Sequence, residues 1–275
     1  MEPQRLLGKM KLEITPMIRR LLTQGAALAM LLVVPASMHA QFGAPPPQPP
    51  RPAKTVAPED VTGNWVSIVT EDWRWRMVTP AKGDYTSVPL SAAGRKTADA
   101  WDPDKDIAAG NQCKAYGAAA IMRVPGRVHI TWVDDNTLKV EADAGTQTRT
   151  FHFNAKAPAN EAPSWQGYSD ASWDGLRPPP RGRAAAAPPP AGGSLKVVTS
   201  HMKPGYLRKN GVPYSGDAEL TEYYDRTNEP NGDSWLIVTT IVHDPANLYQ
   251  DFVTSTHFKM EKDGSKWSPS ACEAK

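Results

Sequence analysis

From residue 60 onward, apolar and polar positions alternate in short runs that are closed by glycine, proline, asparagine or aspartate. A period of two puts successive side chains on opposite faces of a strand, so each run predicts a strand with one face turned to a core. The first covers 60–77 and ends in Trp73-Arg74-Trp75-Arg76-Met77, where Trp73, Trp75 and Met77 would share one face and Arg74 and Arg76 the other. Further strands are predicted over 120–124, 127–133, 138–142, 146–153, 195–202, 218–226, 235–242 and 252–260. Pro125-Gly126, Asp134-Asp135-Asn136, Ala144-Gly145, Pro230-Asn231-Gly232-Asp233 and Lys262-Asp263-Gly264 lie between such runs, which is the punctuation of antiparallel hairpins in a meander. Residues 90–101 break the period and read as a helix, with Ser91 as its cap and Asp102-Pro103 as its end; a second helical turn is predicted over 104–109. The expected fold class is all-β and mainly antiparallel: a single barrel or barrel-like sandwich with one or two short helices near residues 91–109.

The flanking and inserted segments follow other rules. Arg19 and Arg20 precede a mostly apolar run over 21–34, then Pro35 and small residues up to Ala40, so residues 1–40 read as an export signal. The run is broken by Thr23, Gln24 and Gly25 and falls short of the roughly 20 apolar residues that span a bilayer. Residues 41–59 are rich in proline, which fixes φ and removes amide donors, and are expected to form a disordered tether. Residues 60–275 then form a single β domain, interrupted at 176–192 by a low-complexity proline, alanine and arginine insert that reads as an expanded hairpin loop. The chain as a whole carries 31 Lys and Arg against 29 Asp and Glu. Residues 1–40 hold five of the former and two of the latter, so the processed chain is close to neutral and offers no general attraction for nucleic acid. The expected location is periplasmic or secreted, with no membrane span once the signal is cleaved.

A particular order of motifs runs through the processed chain: Gly63-x-Trp65, a cysteine at 113, Pro125-Gly126-Arg127-Val128-His129-Ile130, Gly167-Tyr168-Ser169 ahead of Trp173-Asp174-Gly175, Thr240-Ile241-Val242-His243-Asp244-Pro245, and Cys272. In this it resembles a group of uncharacterised exported bacterial β-rich proteins, for which no activity is implied. The Gly63-x-Trp65 opening is also similar to that of lipocalins, which implies a ligand-binding barrel.

Candidate chemistry is sparse. Cys113 and Cys272 are the only cysteines, and a lone pair in an exported chain predicts a disulfide. No HExxH or CxxC spacing, nucleophile elbow, phosphate loop or dinucleotide fingerprint occurs, so no cofactor or metal is expected. His129 shares a strand face with Arg127 and Thr131, and His152 shares one with Thr148 and Thr150; these faces would line a polar lumen or meet water. The cluster Glu71-Asp72-Trp73-Arg74-Trp75-Arg76 combines guanidinium groups with indoles, a pairing suited to bidentate and stacking contact with a carboxylated or glycan-like ligand. Alternatively the tryptophans are core and the arginines cover the outside of the sheet.

These residues support an expectation of a small partly apolar or carboxylated ligand held in a Trp/Arg-lined barrel cavity by Trp73, Arg74, Trp75, Arg76, His129 and His152. An envelope structural or interaction protein without a ligand cavity is the first alternative. A hydrolase or lyase with an unrecognised site is the second, and a protein partner is not identified by any motif.

Overall fold

The computed structural model describes residues 49–175 and 193–275. The predicted export signal, the first part of the tether and the insert at 176–192 lie outside the described residues. Among the described residues eleven strands occur: β1 Gly63–Ile68, β2 Arg127–Asp134, β3 Thr137–Ala142, β4 Gln147–Phe153, β5 Tyr168–Asp174, β6 Ser194–Ser200, β7 Gly205–Arg208, β8 Val212–Tyr214, β9 Glu219–Asn228, β10 Ser234–His243 and β11 Phe252–Glu261. Nine of them close into a barrel in the order β1-β11-β10-β9-β6-β5-β4-β3-β2, while β7 and β8 form a separate hairpin. The all-β barrel expectation holds. The simple meander is corrected at two places: β6 pairs with β9 across the intervening hairpin, and β4 runs parallel to β5. The second follows from arithmetic, because an odd number of strands cannot close with every neighbour antiparallel.

The apolar side chains of the period-two pattern turn into the lumen and occupy it, where a Trp/Arg-lined ligand cavity was expected. Trp65, Ile130, Leu138, Phe151, Leu195 and Phe258 all point inward and are essentially inaccessible, and the Phe151 and Tyr224 rings meet edge to face at 5.5 Å. Burying side chains of this size supplies roughly 1.5–3 kcal/mol each. Among them sits an ion pair, Arg149 to Glu222 at 2.6 Å, with Tyr224 and Thr199 as further hydrogen-bond partners of the guanidinium. Burial opposes the Arg149 charge, but Glu222 and Tyr224 outweigh it and hold the group protonated above its ordinary range.

One pole of the barrel is covered by residues 53–59, part of the segment predicted to be a disordered tether. Ala53 is buried, its amide donates to Asn136 Oδ1, and its carbonyl accepts from the Trp173 indole. That correction has a local cause: the strand ends expose Trp132, Phe153 and Trp173, whose rings lie within 5.4–6.5 Å of one another and need a cover. β5 and β6 pair as far as Asp174 opposite Ser194, on this same pole.

The other pole carries the cap: helices α1 Trp73–Arg76, α2 Ala92–Asp99, α3 Pro103–Ala108 and α4 Ala118–Ile121, together with the β7–β8 hairpin. α2 starts where predicted, with Ser91 Oγ accepting from the Gly94 amide. Gly94 is required there, since a Cβ would lie 2.2 Å from the Asn247 carbonyl oxygen. α3 begins with Pro103 after an Asp102 cap. The predicted strand over 120–124 is instead the last two residues of α4 and the turn after it; the four residues of α4 are all buried and so carry no alternation that could place them in a sheet. Tyr85, Leu207, Val212, Tyr214 and Leu248 form the cap's own apolar cluster, which continues into Leu220, Val242 and Phe252 of the barrel mouth. A Cys113–Cys272 disulfide joins the cap to the C-terminal tail, as the cysteine pair predicted.

Candidate functional site

The most distinctive chemistry of the fold lies where the cap meets the barrel mouth. The end of the first predicted strand is not a strand: the chain leaves β1, turns at Asp72 in a left-handed conformation (φ 49°), and enters α1. The Trp75 and Arg76 amides donate to the Asp72 carbonyl and the Met77 amide to the Trp73 carbonyl. This removes the expected strand alternation. Trp73 is 65% exposed and Arg76 only 8%. The reason is long-range: Arg76 Nε donates to the Arg123 carbonyl at 2.8 Å, its terminal nitrogens reach Glu71 and Ser67 Oγ, and no strand geometry satisfies all three.

Two further arginines converge on the same place. Arg123 follows α4, is 5% exposed, and donates to Asp72 Oδ2 at 2.9 Å while its other terminal nitrogen has no partner. Arg208 ends β7 and is 4% exposed; it donates to the Thr86 carbonyl at 2.7 Å, and its Nε and second terminal nitrogen are unpartnered. The hairpin that presents Arg208 is fixed by Asn210, whose amide donates to the Ala81 and Asp84 carbonyls, and by Gly211, where a Cβ would strike the Trp101 ring. The Trp75 ring lies 5.0 Å from the Arg208 guanidinium and 5.4 Å from that of Arg74, and its indole N–H reaches Asp84.

Glu71 neutralises Arg76 and Asp72 neutralises Arg123. Among the described residues no carboxylate lies within 4.0 Å of Arg208; Asp72 and Asp84 act on it only from farther away. Burial, reinforced by the Arg123 charge, lowers both Arg76 and Arg208 from 12.5 to about 10, and burial lowers Arg123 as well. Arg76 and Arg208 remain cationic at neutral pH. All three arginines line a cavity of about 270 Å³ whose walls also include Ala115, Ala120, Val124, Pro125, Leu207 and Lys209. At about 30 Å³ per water this is room for about nine waters, near the lower end of small-molecule sites.

The expected site residues therefore divide. Trp75 and Arg76 line the cavity; Trp73 does not, but stands exposed one helical turn from Met77, which does; and Arg74 is on the surface, paired with Asp84 at 2.9 Å. His129 and His152 are not part of it. Both are on the outer face of the barrel: His129 lies 3.6 Å from Glu141, and His152 stacks on Tyr168 at 4.7 Å. His243 is paired on the surface with Asp251, and Asp244 is taken up in bonds to Ser215 and Asn247, so these neighbours do not form a dyad. His257 touches Glu71 at 3.3 Å and so lies behind the Arg76 pair. Arg123 and Arg208 were not singled out by motif. Their signal was an arginine enclosed in an apolar run, Ala118-Ala119-Ala120-Ile121-Met122-Arg123-Val124, and one directly after Tyr206-Leu207. A charged group so flanked must be buried with its neighbours or must break the element.

Among the described residues no group of three or more His, Cys, Asp or Glu side chains is arranged to hold a metal ion. The cavity wall itself offers guanidinium donors, an ammonium, a threonine and apolar surface, with neither a histidine nor a carboxylate lining it. Such a wall can hold an oxyanion through charge-assisted hydrogen bonds, and it has no positioned base to move a proton. Comparison of the chain with protein-family models, with curated proteins and with solved structures finds no match to any of the three.

Proposed function

We propose that the protein binds a small organic anion, with a carboxylate or similar planar oxyanion as its recognised group, in the cavity between cap and barrel mouth. The observation that carries this reading is Arg208: a guanidinium removed from water, without a carboxylate in contact, with two donors buried and unpartnered, in a residue that lines a cavity. Leaving a buried charge unpaired costs several kcal/mol, and an anion entering the cavity offsets that cost with bidentate hydrogen bonds. The site lies at the mouth, outside the side-chain-filled lumen. The reading is one of binding, because the cavity wall lacks a general base or a nucleophile paired with one.

The oxidising compartment expected for an exported chain agrees with the Cys113–Cys272 bond, since disulfides persist in periplasmic and secreted proteins. No helix among the described residues is long and apolar enough to cross a membrane. The test is a titration of the protein with simple carboxylates in a buffer of non-coordinating ions, following the side-chain Nε–H resonances of its arginines by NMR. Saturable movement of the Arg208 resonance, absent in Arg208→Met, is the expected result. Uniform small shifts of surface arginines with no response at Arg208 would overturn the proposal.

A further inference from the structure

We infer that the ligand of the arginine cavity is amphiphilic: an oxyanion head on Arg123 and Arg208, joined to an apolar tail that lies across Trp73, Met77 and Val78. This inference rests on the anion-binding reading above and names the rest of the molecule. Of the seven large hydrophobic residues that stand exposed on the described surface, three fall within the six residues 73–78. They are Trp73 at 65%, Met77 at 59% and Val78 at 70%, and Met77 and Val78 line the cavity. Scattered exposed apolar residues need no explanation, but a contiguous group at the edge of a cavity marks a contact surface.

The fold does not require these side chains to be apolar. α1 is held by the Arg76 bonds and by backbone hydrogen bonds, and a polar residue at 73, 77 or 78 would cost it little. The cavity continues the same chemistry inward, with Ala115, Ala120, Val124 and Leu207 facing the guanidinium groups. A polyanion would have to lay charged or strongly hydrated groups against both apolar surfaces, at the desolvation cost of each. A single head with a hydrocarbon or aryl tail meets both demands. With about 270 Å³ available, the cavity admits the head and the first few carbons, and a longer tail must emerge over the exposed rim. Arg123 and Arg208 are 5% and 4% exposed, recessed below that rim, which suits a molecule that enters singly better than the flat surface of a membrane.

The deciding experiment is a calorimetric titration with straight-chain carboxylates from acetate to decanoate, each kept below its micelle concentration. The proteins compared are the wild type, Arg208→Met, and the double variant Trp73→Ala with Met77→Ser, whose sites are exposed; circular dichroism checks that each is folded. Affinity is expected to rise by roughly two- to fourfold per methylene over the middle of the series and then to level off. The rise should flatten in the Trp73→Ala, Met77→Ser protein. A flat series in the wild type, with acetate still bound through Arg208, would overturn the amphiphile and leave the anion cavity standing. An unchanged slope in the double variant would overturn the rim as the tail site. Binding of no member through Arg208 would overturn both readings, and binding to anionic lipid vesicles alone would replace the small molecule with a membrane surface.

Discussion

Replacing Arg208 with methionine should stabilise the ligand-free protein while removing its response to anions. The guanidinium is lowered from 12.5 to about 10, first by burial and then by Arg123. At about 1.4 kcal/mol per factor of ten in proton affinity, keeping the group charged in the folded state costs about 3 kcal/mol. Methionine abolishes that cost and retains much of the apolar stem. It also gives up the bond to the Thr86 carbonyl, worth about 1.5 kcal/mol for a charged donor, and the contact with the Trp75 ring, worth about 0.5 kcal/mol or more. The balance is a net gain of about 1 kcal/mol, or roughly 2–4 °C in Tm for a domain of this size. The folded group titrates at about 10 and the unfolded group at 12.5, so the penalty is fully present below 10 and is relieved only as pH rises between those values. The difference between mutant and wild type should therefore be flat across neutral pH. Thermal and urea melts in anion-free buffer measure it, and repeating them with a saturating carboxylate should raise only the wild type, by about 2.7 kcal/mol at a hundredfold excess over Kd. A mutant that loses more than about 1 kcal/mol without ligand would show that Arg208 is held by the fold for its own sake, and the case for an absent anion would fail.

Other outcomes test the frame around the site. Burial raises Glu59, on the strap over the opposite pole, from 4.5 to about 7; its stabilising protonated form is fully present below about 4.5 and lost as pH rises through 7. Glu59→Gln should thus gain stability relative to wild type across that interval and hold the gain above it, whereas parallel pH profiles would contradict the burial. Arg149→Met strands a fully buried Glu222 and should cost about 3–5 kcal/mol in urea melts, with most of it recovered in Arg149→Met, Glu222→Leu; equal losses in the two would mean that the charges do not depend on each other. Removing the disulfide with Cys113→Ala and Cys272→Ala reopens a loop of sequence separation 159, and the chain-entropy model puts the loss at about 5 kcal/mol; an unchanged Tm would show that the tail contributes nothing to the cap.

What was legible in the sequence was whatever local periodicity determines. β2, β3, β4, β9, β10 and β11 alternate apolar and polar residues over six to ten positions, long enough for a period of two to be distinguished from 3.6, and their predicted limits agree with the barrel to within a few residues. α2 carried its own start signal in Ser91, whereas Asp102-Pro103, read as the end of that helix, also caps and opens α3. The four residues of α1 did not suffice, because Trp-Arg-Trp-Arg alternates perfectly and a single helical turn has no second turn to contradict it. Its conformation is decided by Ser67, Glu71 and the Arg123 carbonyl, two of them five and nine residues away and the third 47. The site is harder still to read. Arg76, Arg123 and Arg208 span 132 positions, and only the closure of the barrel under its cap makes them neighbours. Of the three, Arg76 alone stood in a run that suggested a ligand site, and it lies on a helical turn where its sequence alternates like a strand.

The ring is sealed by its first and last strands, with Asn64 of β1 opposite Glu261 of β11. During synthesis, therefore, every partial chain that ends before β11 presents an open sheet with two unpaired edges, and the seam that completes it waits for almost the whole domain to emerge. Pairings so distant in sequence fold slowly, and bare edges recruit other chains. A molecule built this way gains from meeting a holdase chaperone before it folds, and its vulnerability to aggregation should be greatest in the interval before the last strand arrives.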